Sequence, residues 1–178
     1  MCRLAPCRLA RSCLTRDTTG VLTTTVAVPA KLALARFIED VRALTPGDGP
    51  VRHDWLPNGR MTLVFRALDN GRSGDVCIAG PLTQARFKNL SGVTRAMIIQ
   101  FKPGWSAPLL GVAANELTDR IVPLADIWGG AGSELHAELQ ATRELPELLA
   151  CDLAAVSRAG NSPDPAARHH RLRPADRG

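Results

Sequence analysis

Along residues 30–44, AKLALARFIEDVRAL, apolar side chains recur at three- and four-residue spacing. Leu34, Phe37, Ile38, Val41 and Leu44 would share one face of a helix. Pro29 ahead of it and TPGDGP behind it supply a start and a stop. The preceding TTGVLTTTVAVP, residues 18–29, is β-branched and reads as an irregular strand or an extended lead-in. From Val51 to Phe101 the rhythm changes. Asn58-Gly59, Asp69-Asn70-Gly71, Gly80-Pro81 and Ser91-Gly92 mark turns, and between them run MTLVFRAL, DVCIAG, LTQARFKNL and TRAMIIQF. Short runs so punctuated predict an antiparallel sheet or small barrel. QARFK alternates and has one wet face, whereas LVF and MIIQF are apolar on both faces, as in the middle of a β core.

After Pro103 the pattern shifts to short helical turns. Pro123 suits the first position of a turn running through Ile127, and Asn115 suits an N-cap ahead of Glu116-Leu117. A longer helix is predicted from Ser133 to about Leu145, with Leu135, Leu139 and Thr142 on one stripe and Pro146 ending or bending it. That stripe needs cover from the sheet, a second helix or a second subunit. From Asp152 onward one leucine and no periodicity remain, which is the composition of a disordered tail. The expected organisation is a basic leader over 1–20, one α+β domain over 21–150 and a basic tail over 151–178.

Charge sharpens this division. The chain carries a net +5, with 22 basic and 17 acidic side chains. Residues 1–20 hold four arginines against Asp17, and residues 151–178 hold five against three aspartates, so residues 21–150 are neutral. A DNA-binding domain carries its excess on the folded face that meets phosphate, and this domain has no such excess. Arginine outnumbers lysine 19 to 3, a GC-rich bias that deprives single arginines of meaning. The five cysteines form no C-x-x-C pair, which argues for free thiols in a reducing cytoplasm. The Arg-rich, acid-poor start is the composition of a transit peptide, but a disordered or mis-started leader fits the bacterial-looking composition better. No apolar run reaches the roughly 20 residues of a membrane helix.

Three stretches taken in order are more specific: WLPNGRMTLVFRA (55–67), CIAGPLTQARF (77–87) and FKPGWSAPLLGVAANELTDRIVPLADIWG (101–129). Together they resemble the N-terminal sensor half of AraC-type (AraC/XylS family) bacterial transcriptional regulators over roughly residues 30–145. The last phrase carries most of the likeness, through Pro103, Gly104, Trp105, Leu110, Gly111, Glu116, Leu117, Asp119, Arg120, Pro123, Leu124, Trp128 and Gly129. The resemblance implies an antiparallel cupin-like β-sheet or barrel with an N-terminal helix and C-terminal helices packed on it. It implies a possible small-molecule effector and a homodimer, or a heterodimer with a related regulator, formed through helices. Such domains are normally followed by two helix-turn-helix units. Here 28 residues follow Ala150, broken by Gly160, Pro163, Pro165 and Pro174, so the chain is expected to lack that half and to bind no DNA specifically on its own. The long phrase itself reads as architectural. Trp105, Leu109, Leu110, Leu117 and Trp128 would anchor against the sheet, and Asp119-Arg120 would pair locally or cap.

Candidate chemistry is sparse, and an enzyme is not expected. His53, in RHDW, has no second ligand near it; His136 sits on the predicted helix, and His169-His170 lie in the tail. Neither G-x-S-x-G nor a phosphate-cradling G-x-x-x-x-G-K-[ST] occurs; Ser106 reads as a turn cap and Cys77 as a small buried residue. No cofactor and no metal are expected. Met61, Leu63 and Phe65, with Met97 and Ile99, alternate on their strands, so they line either a filled core or an apolar effector pocket; the filled core is favoured. Arg66, Arg86 and Arg95 would greet an anion or simply be solvated. The Leu135, Leu139 and Thr142 stripe is the candidate dimer surface. The expected function is effector sensing and dimerisation in transcriptional control. The alternatives are a stand-alone small-molecule-binding or heterodimerising protein and, from another class, a cupin-like metalloenzyme.

Overall fold

The structure is a computed structural model that describes residues 13–16, 22–25, 33–45, 51–68 and 73–141. Nine strands are present among them: β1 (Cys13–Arg16), β2 (Leu22–Thr25), β3 (Ile38–Thr45), β4 (Val51–Trp55), β5 (Thr62–Leu68), β6 (Ser73–Ala79), β7 (Arg86–Leu90), β8 (Val93–Phe101) and β9 (Ile121–Pro123). Three α-helices follow the main strands: α1 (Ser106–Leu110), α2 (Leu124–Trp128) and α3 (Gly130–Ala141). Short 3-10 turns cover Ala33–Arg36 and Ala114–Leu117. Seven strands form one sheet in the order β1-β2-β3-β8-β5-β6-β9, and β4 pairs with β7 separately. Every pairing is antiparallel. The fold is mixed α+β, and its described strands do not close into a barrel. No described helix is long and apolar enough to cross a membrane.

The helix expected over 30–44 is instead the 3-10 turn followed by β3. The cause is a β-bulge. Ile38 pairs with Phe101 and Asp40 with Gln100, which leaves Glu39 as an inserted residue. With that insertion Ile38 and Val41 face the same side at a spacing of three, which in sequence imitates one helical turn. Pairing with the apolar β8 then decides the matter over local propensity.

One face of the sheet holds the core. Val41, Ile99, Leu63, Ile78 and Val122 stand in register across five strands, and Ala43, Met97, Phe65 and Val76 form the next row. The helical layer covers them. Leu109, Leu110, Val112, Leu117, Leu124, Ile127, Leu135 and Leu139 join the same cluster. Burying each leucine contributes roughly 1.5–3 kcal/mol relative to leaving it in water.

The helical segment departs from expectation in three places. The Ala114–Leu117 turn begins after Ala113, whose N–H donates to the Glu116 carboxylate at 3.4 Å, so Asn115 lies inside the turn and not at its cap. Pro123 ends β9 and precedes α2 without entering it. The long helix starts at Gly130, three residues before Ser133, because Gly132 lets α3 lie against α2: a Cβ there would stand 2.8 Å from the Ala125 Cα. Thr142, Leu145 and Pro146 lie outside the described residues, as does the tail from Asp152; of the leader expected over 1–20 to be disordered, Cys13–Arg16 instead form β1, paired with β2 in the main sheet, and the rest lies outside the described residues.

Candidate functional site

Alternation along a strand sends neighbouring residues to opposite faces, so the central strands have a second face. On it Asp40, Gln100, Thr62 and Ala79 stand in register, then Arg42, Ile98, Val64 and Cys77, then Leu44, Ala96, Arg66 and Asp75. The middle of this face is buried, with Thr62 and Ile98 8% exposed, Cys77 6% and Val64 4%, while Asp40, Arg42, Gln100, Arg66 and Asp75 are partly exposed. Thr62, at 8% exposure, is the one buried polar side chain among the described residues. Four residues along the same strand, Arg66 forms a fork with Asp75, its Nε donating to Oδ1 at 2.8 Å and its Nη2 to Oδ2. The hydrogen bond to Asp75 raises the Arg66 pKa, against the opposing effect of burial, so the guanidinium stays charged. Arg42 and Asp40 pair at 2.7 Å on the same face. Cys77 is a buried thiol, in no disulfide, close enough to Arg66 to act on its charge.

The residues singled out for an apolar pocket lie on the other side. Met61, Leu63, Phe65, Met97 and Ile99 are 1–3% exposed and belong to the core beneath the helices. Leu135 and Leu139 are likewise buried inside the chain, at 1% and 0%, where α3 packs on β6 and α2. This stripe is therefore covered from within and is not an open surface for a second subunit. The sequence pattern singled out the large apolar parity of these strands and, on the other, Arg66; Thr62, Asp75 and Gln100 stand on that second face with it.

The three arginines proposed to greet an anion go to three separate places. Arg66 is held by Asp75. Arg95 lies 5.7 Å from the Phe65 ring and donates to the Leu139 carbonyl at 3.2 Å, which satisfies an acceptor in the last described turn of α3. Arg86 donates to the Asp119 carbonyl. His53 lies in β4 opposite Lys88, and its side chain lies outside the described residues. The His136 ring sits 3.2 Å from the Gln140 amide nitrogen, and His169-His170 lie outside the described residues. Ser106 is the first residue of α1. Among the described residues no three His, Cys, Asp or Glu side chains gather to hold a metal.

The long phrase at 101–129 acts as a clamp. Asp119 adopts a left-handed backbone, φ 58°, which aims its N–H at the Pro81 carbonyl, 2.8 Å away. Its carboxylate accepts the Thr83 N–H at 2.8 Å and the Thr83 hydroxyl. These bonds, chiefly the hydroxyl, lower the Asp119 pKa. Gly80 donates to the Arg120 carbonyl at 2.9 Å, and a Cβ on Gly80 would fall 1.8 Å from the Leu117 carbonyl oxygen. Arg120 reaches back to the Glu116 carbonyl at 3.3 Å. The G-P-L-T turn and the E-L-T-D-R segment are thus two halves of one lock, and Leu117, Leu124 and Leu110 hang from it into the core. Trp105 differs from its expected anchoring role. The turn at Pro103 and Gly104 leaves it 45% exposed, edge-on to Phe37 with ring centroids 5.3 Å apart. Trp128 does pack on the core, partly buried.

No curated protein and no solved structure matches the chain. Residues 26–123 match a family described as "Domain of unknown function (DUF6597)". The match spans β3 to β9, so it contains both sheet faces and both halves of the lock. With more than half of its 178 residues matched, the chain belongs to the DUF6597 family.

Proposed function

We propose that this domain senses a small effector and self-associates in transcriptional control, as in the AraC-type regulators it resembles, and that the effector meets the second sheet face. The supporting observation is the buried Thr62 and, further along the same sheet face, the partly buried Arg66–Asp75 fork. Burying polar side chains costs free energy unless each finds a partner, and apolar replacements of equal size are often no less stable. A fold that needed only a core would have no use for them. Polar groups converging within an apolar surround are what a small-molecule site requires. In this reading the sheet is the ligand-bearing wall of a cupin-like fold, and the clamp keeps the helical cover fixed on its far side. The long signature phrase then serves architecture, and binding lies with strand residues outside it.

The test is a thermal-shift screen of the purified chain against small organic acids, sugars and aromatic compounds. A compound that raises the melting temperature of the native chain, and fails to do so for Thr62→Val and Arg66→Met, supports the reading. Equal shifts in all three proteins would move the site elsewhere. Bound metal with hydrolytic or oxidative turnover would favour the metalloenzyme alternative. The neutral charge of residues 21–150 also predicts no sequence-selective electrophoretic shift of DNA at physiological salt.

A further inference from the structure

The charged side chains that the central strands set on the second sheet face come as matched pairs. Arg42 lies 2.7 Å from Asp40, and Arg66 holds Asp75. The bulge residue Glu39 is matched as well, by Arg60 at 2.7 Å. An ion of either sign would meet no unmatched counter-charge there and would have to break a pair to find one. The neutral side chains differ. Thr62 and Gln100 stand directly opposite each other across β5 and β8, a position that brings two Cβ atoms to about 5 Å. Among the described residues, neither side chain is joined by a hydrogen bond to the other or to a third group. Elsewhere in the chain hydroxyls are satisfied: Thr83 bonds to the Asp119 carboxylate, Thr94 to the Ala67 carbonyl and Thr118 to the Ala114 carbonyl.

Thr62 is 8% exposed, so its side chain has given up most of its water with no bond in return, which is costly for a hydroxyl. Gln100 beside it is partly exposed and forms the open side of the pair. Apolar residues adjoin them in the register: Ala79 next to Thr62 on β6, and Val64 and Ile98 in the following row, at 4%, 4% and 8% exposure. The two polar groups therefore sit at the margin of an apolar patch and carry no charge. A hydroxyl offers one donor and two lone pairs, and a carboxamide offers two donors and an acceptor. Another carboxamide answers both, since its N–H and C=O lie side by side. It pairs head to head with the Gln100 amide through two parallel hydrogen bonds and keeps a second N–H for the Thr62 oxygen. A carboxylate has no donor to give and an ammonium no acceptor. A polyol brings more hydroxyls than the two unpartnered side chains can satisfy.

We infer that the effector is an uncharged, mainly apolar molecule with a carboxamide head, held by Gln100 and Thr62, with its body over Ala79, Val64 and Ile98. This rests on the reading of the second sheet face as the effector site and names the chemical class that the site takes. Arg66 and Asp75, satisfied by each other, bound the far end of the patch without offering a charge.

The experiment is isothermal titration of the full chain at neutral pH with hexanamide, hexanoate and hexylammonium, which share one apolar tail and differ in the charge of the head. Hexanamide should bind, and each ion should bind at least about tenfold more weakly. This comparison uses the native chain and does not depend on how any variant folds. Thr62→Val and Gln100→Leu should each weaken hexanamide at least about fivefold, the loss of one hydrogen bond. Thr62→Ser keeps the hydroxyl and should bind like the native chain. Gln100→Glu sets an unmatched carboxylate on the face and should turn the preference to hexylammonium. A native chain that takes hexanoate or hexylammonium as tightly as hexanamide overturns the uncharged class; loss of that binding in Thr62→Val would leave the effector site itself standing. Hexanamide affinity unchanged in both Thr62→Val and Gln100→Leu overturns the inference and the placing of the effector on this face together. Binding of none of the three probes overturns the carboxamide head, and the wider compound screen then decides separately whether the face takes an effector.

Discussion

The two faces of the central strands differ in how far they are buried and in what fills them. On one, Val41, Ile99, Leu63, Ile78 and Val122 run across the sheet as an unbroken apolar row beneath the helices. On the other, the equivalent row is Asp40, Gln100, Thr62, Ala79 and Ile121. The first row is buried throughout, whereas in the second only Thr62 and Ala79 are. The first face is close-packed, and its stability comes from volume filled. The second face depends on partners, and each polar group there matters through the bond it makes.

The largest effect that would expose this difference is on the first face. Phe65→Ala removes a ring that is 1% exposed at the centre of the cluster and should lower stability by about 4 kcal/mol. Val64→Ala, one residue away on the second face, should cost no more than about half of that, since fewer buried atoms are lost. Urea denaturation followed by circular dichroism measures both. Equal losses would mean that the two faces are one core.

Next comes the lock that holds the helical cover in place. Gly80→Ala forces a methyl group against the Leu117 carbonyl and should cost about 3 kcal/mol, although residue 80 carries no side chain to lose. A melting temperature within a degree or so of native would show that the loop yields, and that the two signature segments are not rigidly joined.

A smaller effect belongs to the second face itself. Arg66→Met and Asp75→Asn each break the fork, and because both groups are partly solvated each should cost only about 1 kcal/mol. The double variant should lose less than the sum of the two, since the second substitution removes a group already without its partner. Strict additivity in denaturation would show that the pair is not coupled.

How much of this was readable in advance depended on the kind of signal. β5, β6 and β8 were legible because turn residues bracket them and their apolar runs are short. β3 was not, because the bulge at Glu39 gave a strand the spacing of a helix; only pairing with β8, more than fifty residues away, resolves it. The lock was visible as a motif but not as a contact, since Thr83 and Asp119 lie 36 positions apart. The second face could have been read from T62-x-V64-x-R66 against D75-x-C77, had polar residues in strands been weighted above large apolar ones. The exposure of Trp105 follows from a glycine turn at Gly104 whose direction no local pattern records.

The smallest effect tests whether the lock is electrostatic as well as steric. The Asp119 carboxylate accepts both Thr83 bonds, and its pKa is lowered in the folded chain. A carboxyl group with a depressed folded value favours the folded state wherever the unfolded chain would be ionised, that is above about pH 3.9. As the pH falls below that value, the unfolded chain takes up the proton first and the advantage shrinks. It is gone once the folded carboxyl is protonated too. Asp119→Asn keeps an oxygen for the Thr83 N–H and tolerates the left-handed backbone, but it has no proton to gain. Its melting temperature should therefore sit slightly below native at neutral pH, and the gap should close on acidification into that range. Scanning calorimetry across the acid range reads the gap directly. A gap that is constant with pH would leave the lock to Gly80 and shape alone; one that closes would show that the carboxylate helps to hold the cover on the first face.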